Sequence, residues 1–446
     1  MTNVLKENVY MKSFDSFVSP GQKDTPPGWL AELRTQAYER FKQIGFPTKK
    51  LDVWKHTPLE WILGVPFVSG DGGMPEKSDV SFLKNLFSLT PEHENRIVFI
   101  NGVYSARYSS ARSLPQGVVL GRLAESMGRW PDKVRSYLAP RLSIETNAFS
   151  LVNTFSFKDG VFVYMPHDTA VKRPLDLFFV TLPTDGELRV FYPRILIVLE
   201  DRATAEIAVN FTGDAPARYF NNAHAEIHLG QGAVLHYSCV QRESKQAFSL
   251  LSNHFTLKKE SVLDALSFNL SGRLVRNTHE VEFTGEHASA SHKGLSVLSG
   301  ESQAFHYALV EHAAPRWVSR QYYKNVLADK SQAEFNSLVH VHSGAERSDS
   351  NQLNKNLLLS DAARCYSRPQ LKIDADDVVC THGAATGQFN QEELFYLRSR
   401  GFSEKEARSM LTVGFAEEIL EAVEPALLKK QFKFLVNEAL KRVIGS

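Results

Sequence analysis

Cysteine is scarce, with three in 446 residues, at Cys239, Cys365 and Cys380. So odd and sparse a set argues against a disulfide framework and for a reducing compartment. A charge excess of either sign is also missing. The 51 Lys and Arg stand against 50 Asp and Glu, a formal charge of +1. That balance leaves no electrostatic footprint for nucleic acid and no polybasic patch for a membrane surface. No apolar run reaches the about eighteen residues of a membrane span, and Met1 to Val18 contain no apolar stretch of the kind a secretory signal needs. Nucleotide signatures are absent: neither Gly-x-x-x-x-Gly-Lys-Ser/Thr nor Gly-x-Gly-x-x-Gly occurs. The expectation is a cytoplasmic protein that binds no nucleotide, nucleic acid or membrane. If ATP drives its work, another subunit hydrolyses it. No Gly-x-Ser-x-Gly elbow and no conspicuous carboxylate pair occurs, so the chain is not expected to be an enzyme.

What is present divides into three parts. Residues 1–25 are polar and read as irregular. After Pro26-Pro27, the apolar residues Leu30, Leu33, Ala37, Phe41 and Ile44 predict a helix that Gly45 caps and Pro47 stops. Residues 68–80 read as a loop and Phe82 to Leu89 as a helix. Arg96 to Ser105 reads as strand, Asn-Gly turn, strand. With the helical pieces broken by Pro131 and Pro140, residues 1–150 form a mainly helical unit with some β. From Asn153 the apolar period changes from about 3.6 to about 2. About a dozen strand-like runs follow, from Val161–Tyr164 through Val190–Leu199 and Phe248–Leu257 to Ala333–Val341, most with Gly in the turns between them. Residues 151–389 are therefore an all-β body. A pair of sandwiches or barrels fits this pattern, and so does a β-solenoid. Residues 390–446 turn helical. Asn390 with Glu393 can cap one helix, Ser403-Glu-Lys-Glu406 is a capping box for the next, and Pro425 to Val443 is a further helical run. Its apolar residues are numerous enough to serve a core and a partner groove.

The residue pair with most chemical content is Cys380-Thr-His382. In an extended segment, side chains two apart share a face. A thiolate and an imidazole side by side suit zinc, copper or iron–sulfur chemistry. Two ligands do not close a tetrahedral site, so any metal needs further ligands, from elsewhere in the chain or from another chain. The competing reading makes Cys380 a buried small hydrophobe and His382 a satisfied polar residue. Asp374, Asp376 and Asp377 read as a solvated turn. Cys365 either fills the core or faces Cys380 from the next coil. His340-Val-His342 is a second same-face pair without an apparent third ligand. His224, His228 and His236 read as surface or cross-strand residues.

Several longer stretches carry a resemblance. They are Ser350-Asn-Gln-Leu-Asn-Lys-Asn-Leu-Leu-Leu-Ser-Asp361, Pro369-Gln-Leu, Ala375-Asp-Asp-Val378, Cys380-Thr-His-Gly-Ala384 and Leu394-Phe-Tyr-Leu-Arg-Ser-Arg-Gly401. With Ser271-Gly-Arg-Leu-Val-Arg-Asn277 and Pro47 to Leu59, they resemble the SufB/SufD family over nearly the whole chain. SufB-like members tend to carry Glu after the motif's His. Gly383 stands there, which is similar to the SufD branch. His56, where Tyr is commoner, and Cys365 depart from the family pattern. The resemblance implies a right-handed parallel β-helix flanked by helical N- and C-terminal regions. It implies a non-catalytic scaffold for iron–sulfur cluster assembly, in complex with SufB through the β-helix and with the ATPase SufC through the C-terminal helices. An isolated chain would be able to form a homodimer. The implied cargo is transient iron or a nascent cluster shared with SufB, held by His382 and then Cys380. A purely structural adaptor for SufC is the alternative, and a β-helix polysaccharide hydrolase or lyase a more distant one.

Overall fold

The computed structural model describes residues 27–70, 80–88, 94–183, 186–214, 216–423 and 426–445. The polar stretch 1–25, residues 71–79 of the expected loop, Leu89 and Pro425 lie outside them. The body is a parallel β-solenoid of about eight turns with helices at both ends of the chain. From Arg194 onward, successive strands alternate between two sheets, and each pairs in parallel with the strand two places along the chain. This decides between the architectures that period alone left open. The pairing continues without slip over all ten residues of Gln303–His312 and Gln332–Val341, and again to Arg364–Ile373.

Each inward position of one coil stacks on the same position of the next. One such layer is Ala205, Ile207, Val209 and Phe211, all fully buried. Towards the C-terminal end the layers become polar. Ser319, Gln321 and Asn325 lie under Ser350, Gln352 and Asn356, with Asn354 over Tyr323, and all are buried. Many of these groups satisfy one another across the interior. Gln352 donates to Ser337 Oγ at 2.8 Å, Ser337 to Gln321 Oε1 at 2.7 Å, and Asn325 to Asn356 Oδ1 at 2.7 Å. A buried amide costs little when bonded and about 1–3 kcal/mol when not, so this network fixes coil register more sharply than methyl groups would.

The expected single strand Val190–Leu199 is two, Arg189–Phe191 and Arg194–Leu199, because Tyr192-Pro193 intervenes and Pro193 has no N–H for a ladder. Val68–Ser69, expected in a loop, is a short strand beside Arg189 and Val190. Within the β body three strands escaped the pattern altogether, Asp349–Leu358, Arg364–Ile373 and Val379–Gly387, and ahead of it so did Val119–Arg122. Local chemistry elsewhere behaves as expected. Helix Gly28–Ile44 ends where Gly45, at φ +64°, donates to Phe41 O at 2.7 Å. Asn101 and Gly102 both take positive φ and close the hairpin Ile100↔Val103. The box of Ser403 and Glu406 opens helix Glu404–Glu421 with both halves formed. Asn390 caps helix Gln391–Ser399 through the N–H of Glu392.

The helices are coats on the two outer faces. On one, Phe220, Phe248, Leu250, Leu274 and Phe305 pack under the N-terminal layer of Phe41, Trp54, Phe67 and Phe149. On the other, Leu266, Phe268, Leu295 and Val326 pack under Ile419, Leu420, Phe432 and Leu435 of helices Glu404–Glu421 and Ala426–Ile444. The stretch Pro47 to Leu59 clips the first coat to distant coils. Arg276 donates to Val53 O and Thr57 Oγ1 and lies over the Trp54 ring at 4.0 Å. Arg368 grips Asp52 with both Nη atoms, and His56 stacks on Tyr366 at 3.9 Å.

Glu334 is fully buried near this clip, 4.0 Å from Arg276, and burial pushes its carboxyl up to about 7. An acid whose pKa rises on folding contributes stability below its unfolded value of about 4.3. That contribution disappears as pH climbs through about 7. Glu334→Gln has nothing to ionise. Relative to it, the wild type is expected to lose about 1–3 kcal/mol between about pH 5 and about pH 8, read from urea midpoints. A difference independent of pH would contradict a carboxyl titrating in this window.

Candidate functional site at the terminal coil

The solenoid ends in strand Val379–Gly387, which among the described residues pairs only with Asp349–Leu358 and leaves its other edge unpaired. Val379 donates its N–H to Ser348 O at 2.9 Å, towards the preceding coil. Peptide groups alternate along a strand, so the backbone of Cys380, His382, Ala384 and Thr386 points to the free edge. The companion edge strand, Arg364–Ile373, is blunted. Arg364 donates inward to Ser331 O, which puts position 369 on the outward set, and Pro369 has no N–H to offer there. Of the last two strands, the one bearing Cys380 and His382 is free of proline and open along its edge.

Both side chains continue inward columns of the solenoid. Cys380 lies over Ser350 and Ser319, and His382 over Gln352 and Gln321. Gln352 is fully buried, but among the described residues no coil covers the next layer, so His382 is exposed and Cys380 half-buried. Cys380 packs against the edge of the main core beside Leu371, Ala375 and Val378. Partial burial pushes its thiol pKa up. The Ser350 N–H opposes this, and the Asp349 carboxylate adds to it. In the chain alone it is a neutral thiol, and any metal that bound it would displace the proton.

Other expectations are redistributed. Cys365 does not face Cys380. It lies at the other end of the coil, in a small cluster with Ala333 and Ala363, where its Sγ accepts from Asn325 at 3.8 Å. Asn325 stacks under Asn356, which stacks under Thr386, far along the terminal strand from Cys380. Burial pushes the Cys365 thiol up to about 12, and Cys239 is sealed in the interior. His224 and His228 are buried, not on the surface, because the N-terminal layer covers their face; His228 Nε2 meets Tyr137 O at 3.0 Å. Asp374 is not merely solvated: it accepts from His340 Nε2 at 2.8 Å. A groove lined by Leu357, Thr386, Phe389, Met410 and Phe415 runs between the terminal strand and the C-terminal helices. Beside it Phe395, Tyr396 and Met410 are exposed, with Phe395 at 74%. Sequence period pointed to these helices but not to which side chains stay outside.

Both the solenoid with its terminal coil and the region that precedes it match described families. Residues 181–415 match the model for the SUF system FeS cluster assembly, SufBD core domain, and residues 6–177 match the SufBD protein N-terminal region. The chain belongs to the SufBD family. An iron–sulfur cluster assembly SufBD family protein of Synechocystis is 29% identical over 92% of this chain and 90% of its own length. The iron–sulfur cluster assembly protein SufD of Escherichia coli is 28% identical over 91% of this chain and 92% of its own length. Its Bacillus subtilis namesake is 23% identical over 99% of both. The SufBD core match contains Cys380, His382 and the coils beneath them. Among the described residues, no helix is long and apolar enough to cross a membrane.

Proposed function

We propose that this SufBD chain is a SufD-type, non-catalytic scaffold subunit. It would work with a SufB-type sister chain and the ATPase SufC, and receive iron or a nascent cluster at the terminal coil. The carrying observation is the open parallel edge of Val379–Gly387 with a thiol and an imidazole at its mouth. A second solenoid can add its own strand there by main-chain pairing. Cys380 and His382 would supply half a coordination sphere, and the sister chain the rest. An incomplete set on each partner lets the cargo enter and leave, whereas four ligands on one chain would retain it. A second copy of this chain can use the same edge when the sister is absent.

In this reading the described helices of residues 1–150 and of 390–446 are the two coats of the 151–389 body. Exposed Phe395, Tyr396 and Met410 beside the terminal strand suit docking of SufC, since large apolar anchors dominate such interfaces. Movement of the ATPase would then be delivered to helices that lie against the last coils.

The test is His382→Ala in the complex assembled with a SufB-type chain and SufC, under anaerobic conditions. Loss of a metal ligand is expected to cut cluster yield by about tenfold or more while the complex still forms. Wild-type yield from an intact complex would favour the adaptor reading, in which the chain docks SufC without touching metal.

A further inference from the structure

The pair His340 and His342, which in sequence lacks a third ligand, acquires one in the fold. Parallel stacking sets Glu311 beside His340, one coil earlier on the outer face. Glu311 Oε1 lies 3.6 Å from His340 Nδ1 and 3.7 Å from His342 Nε2. One ligand atom from each of the three residues falls within 4.8 Å of the others. The two imidazoles are packed at 3.7 Å between centroids.

These distances have a chemical reading. At 3.6 and 3.7 Å the carboxylate makes no hydrogen bond to either ring. Two donors each about 2.1 Å from one ion at a tetrahedral angle are about 3.4 Å apart, within a small side-chain adjustment of what is seen. His340 is also oriented as a ligand should be. Its other nitrogen, Nε2, is held at 2.8 Å by Asp374 Oδ2 from the following coil. A carboxylate on the far nitrogen fixes ring orientation and raises the basicity of the near one. Lys372 reaches the same Asp374 oxygen at 3.5 Å, so its charge sits on the Asp374 side of the cluster. The ligand residues are half-buried, which keeps the position open to ions from solvent.

We propose that Glu311, His340 and His342 bind a divalent first-row transition-metal cation, with Asp374 as the residue that positions His340. Two imidazoles and one carboxylate leave further coordination positions for water, the donor set of exchangeable zinc and ferrous sites. Magnesium and calcium, which take oxygen ligands, are excluded by the same chemistry. The site is separate from Cys380 and His382 and does not rest on their proposed role. Asp374 precedes Cys380 by one turn of chain, Ala375 to Val379. The cation would sit on the outside of the coils that precede the one carrying the inward-facing pair.

The experiment uses the full-length untagged chain carrying Cys380→Ala and His382→Ala, so that the two sites fail independently. After chelator treatment it is titrated anaerobically with Zn2+, Fe2+ and Mg2+. Binding of about one equivalent of Zn2+ and of Fe2+, and none of Mg2+, is expected. Glu311→Gln and His342→Ala should each weaken it by about tenfold or more, and Asp374→Asn by about 10–100-fold. With Co2+ as probe, Asp374→Asn should also shift the ligand-field spectrum, which a merely structural role would leave alone. Zn2+ affinity unchanged in His340→Ala/His342→Ala, or no preference over Mg2+ in the parent chain, would overturn the proposal.

Discussion

Ala384→Pro is expected to leave the chain folded and to weaken its association with a SufB-type partner by about 100-fold, the equivalent of ~2.7 kcal/mol. The reason is directional. Residue 384 belongs to the set whose peptide groups face the open edge, by alternation from Val379 and its bond to Ser348 O. Proline there removes no bond within the chain. It removes a donor from the surface on which a partner strand would pair, and a partner carbonyl left unsatisfied costs about 1–3 kcal/mol. The neighbouring edge strand already carries such a residue in Pro369. Pull-down or interferometry with the partner reads the effect, and circular dichroism reports the fold. Undiminished binding would show that the terminal edge is not where the partner pairs.

Glu226→Leu should destabilise the fold by about 3–5 kcal/mol, the largest single-residue effect we expect. Arg194 is fully buried and Glu226 is 2% exposed. Arg194 bonds Glu226 through Nη2, and Asn153 and Thr154 of helix Ala148–Ser156 through Nη1. Glu226 also accepts from the Ala139 N–H at 2.8 Å. Burial draws Glu226 up and Arg194 down in pKa, and each opposes the other's shift by charge. Removing the carboxylate leaves a guanidinium buried against its chief partner's empty place. The double variant Arg194→Met/Glu226→Leu removes both charges and should cost less than the single one. Urea midpoints distinguish these outcomes. A single variant within about 1 kcal/mol of wild type would mean that the pair does not pin the N-terminal layer.

Much of this architecture can be read locally. A glycine after a run of helical period ends the Gly28–Ile44 helix, and Asn101-Gly102 closes a hairpin, because each is decided by φ and one hydrogen bond. Strand Phe248–Leu257 is found at its expected bounds because the apolar residues Phe248, Leu250, Leu251, Phe255 and Leu257 line it. The last three strands are different. Their inward residues, such as Ser350, Gln352, Asn354 and Asn356, are as polar as their outward ones, so no apolar alternation exists to be seen. Only the coil beneath, which supplies their hydrogen-bond partners, makes them strands. Parallel stacking is likewise invisible to period, since a strand's partner is two strands away rather than next in line. The resemblance to a known family supplied that step.

The site divides in the same way. Cys380 and His382 are two residues apart, so a shared face follows from strand geometry alone. Their place at an uncovered end depends on where the solenoid stops. Glu311 joins His340 through coil register, and nothing in the chain between them announces it. The burial of His224 and His228 depends on a separate layer folding over them, which a strand's own pattern cannot report.

Hydrogen–deuterium exchange on the terminal strand, with and without a SufB-type partner, tests the central claim most directly. The account predicts that the amides of Cys380, His382, Ala384 and Thr386, on the free edge by alternation from Val379, exchange freely in the monomeric chain and become protected on complex formation. Complex formation that leaves those four amides exchanging as before would contradict it.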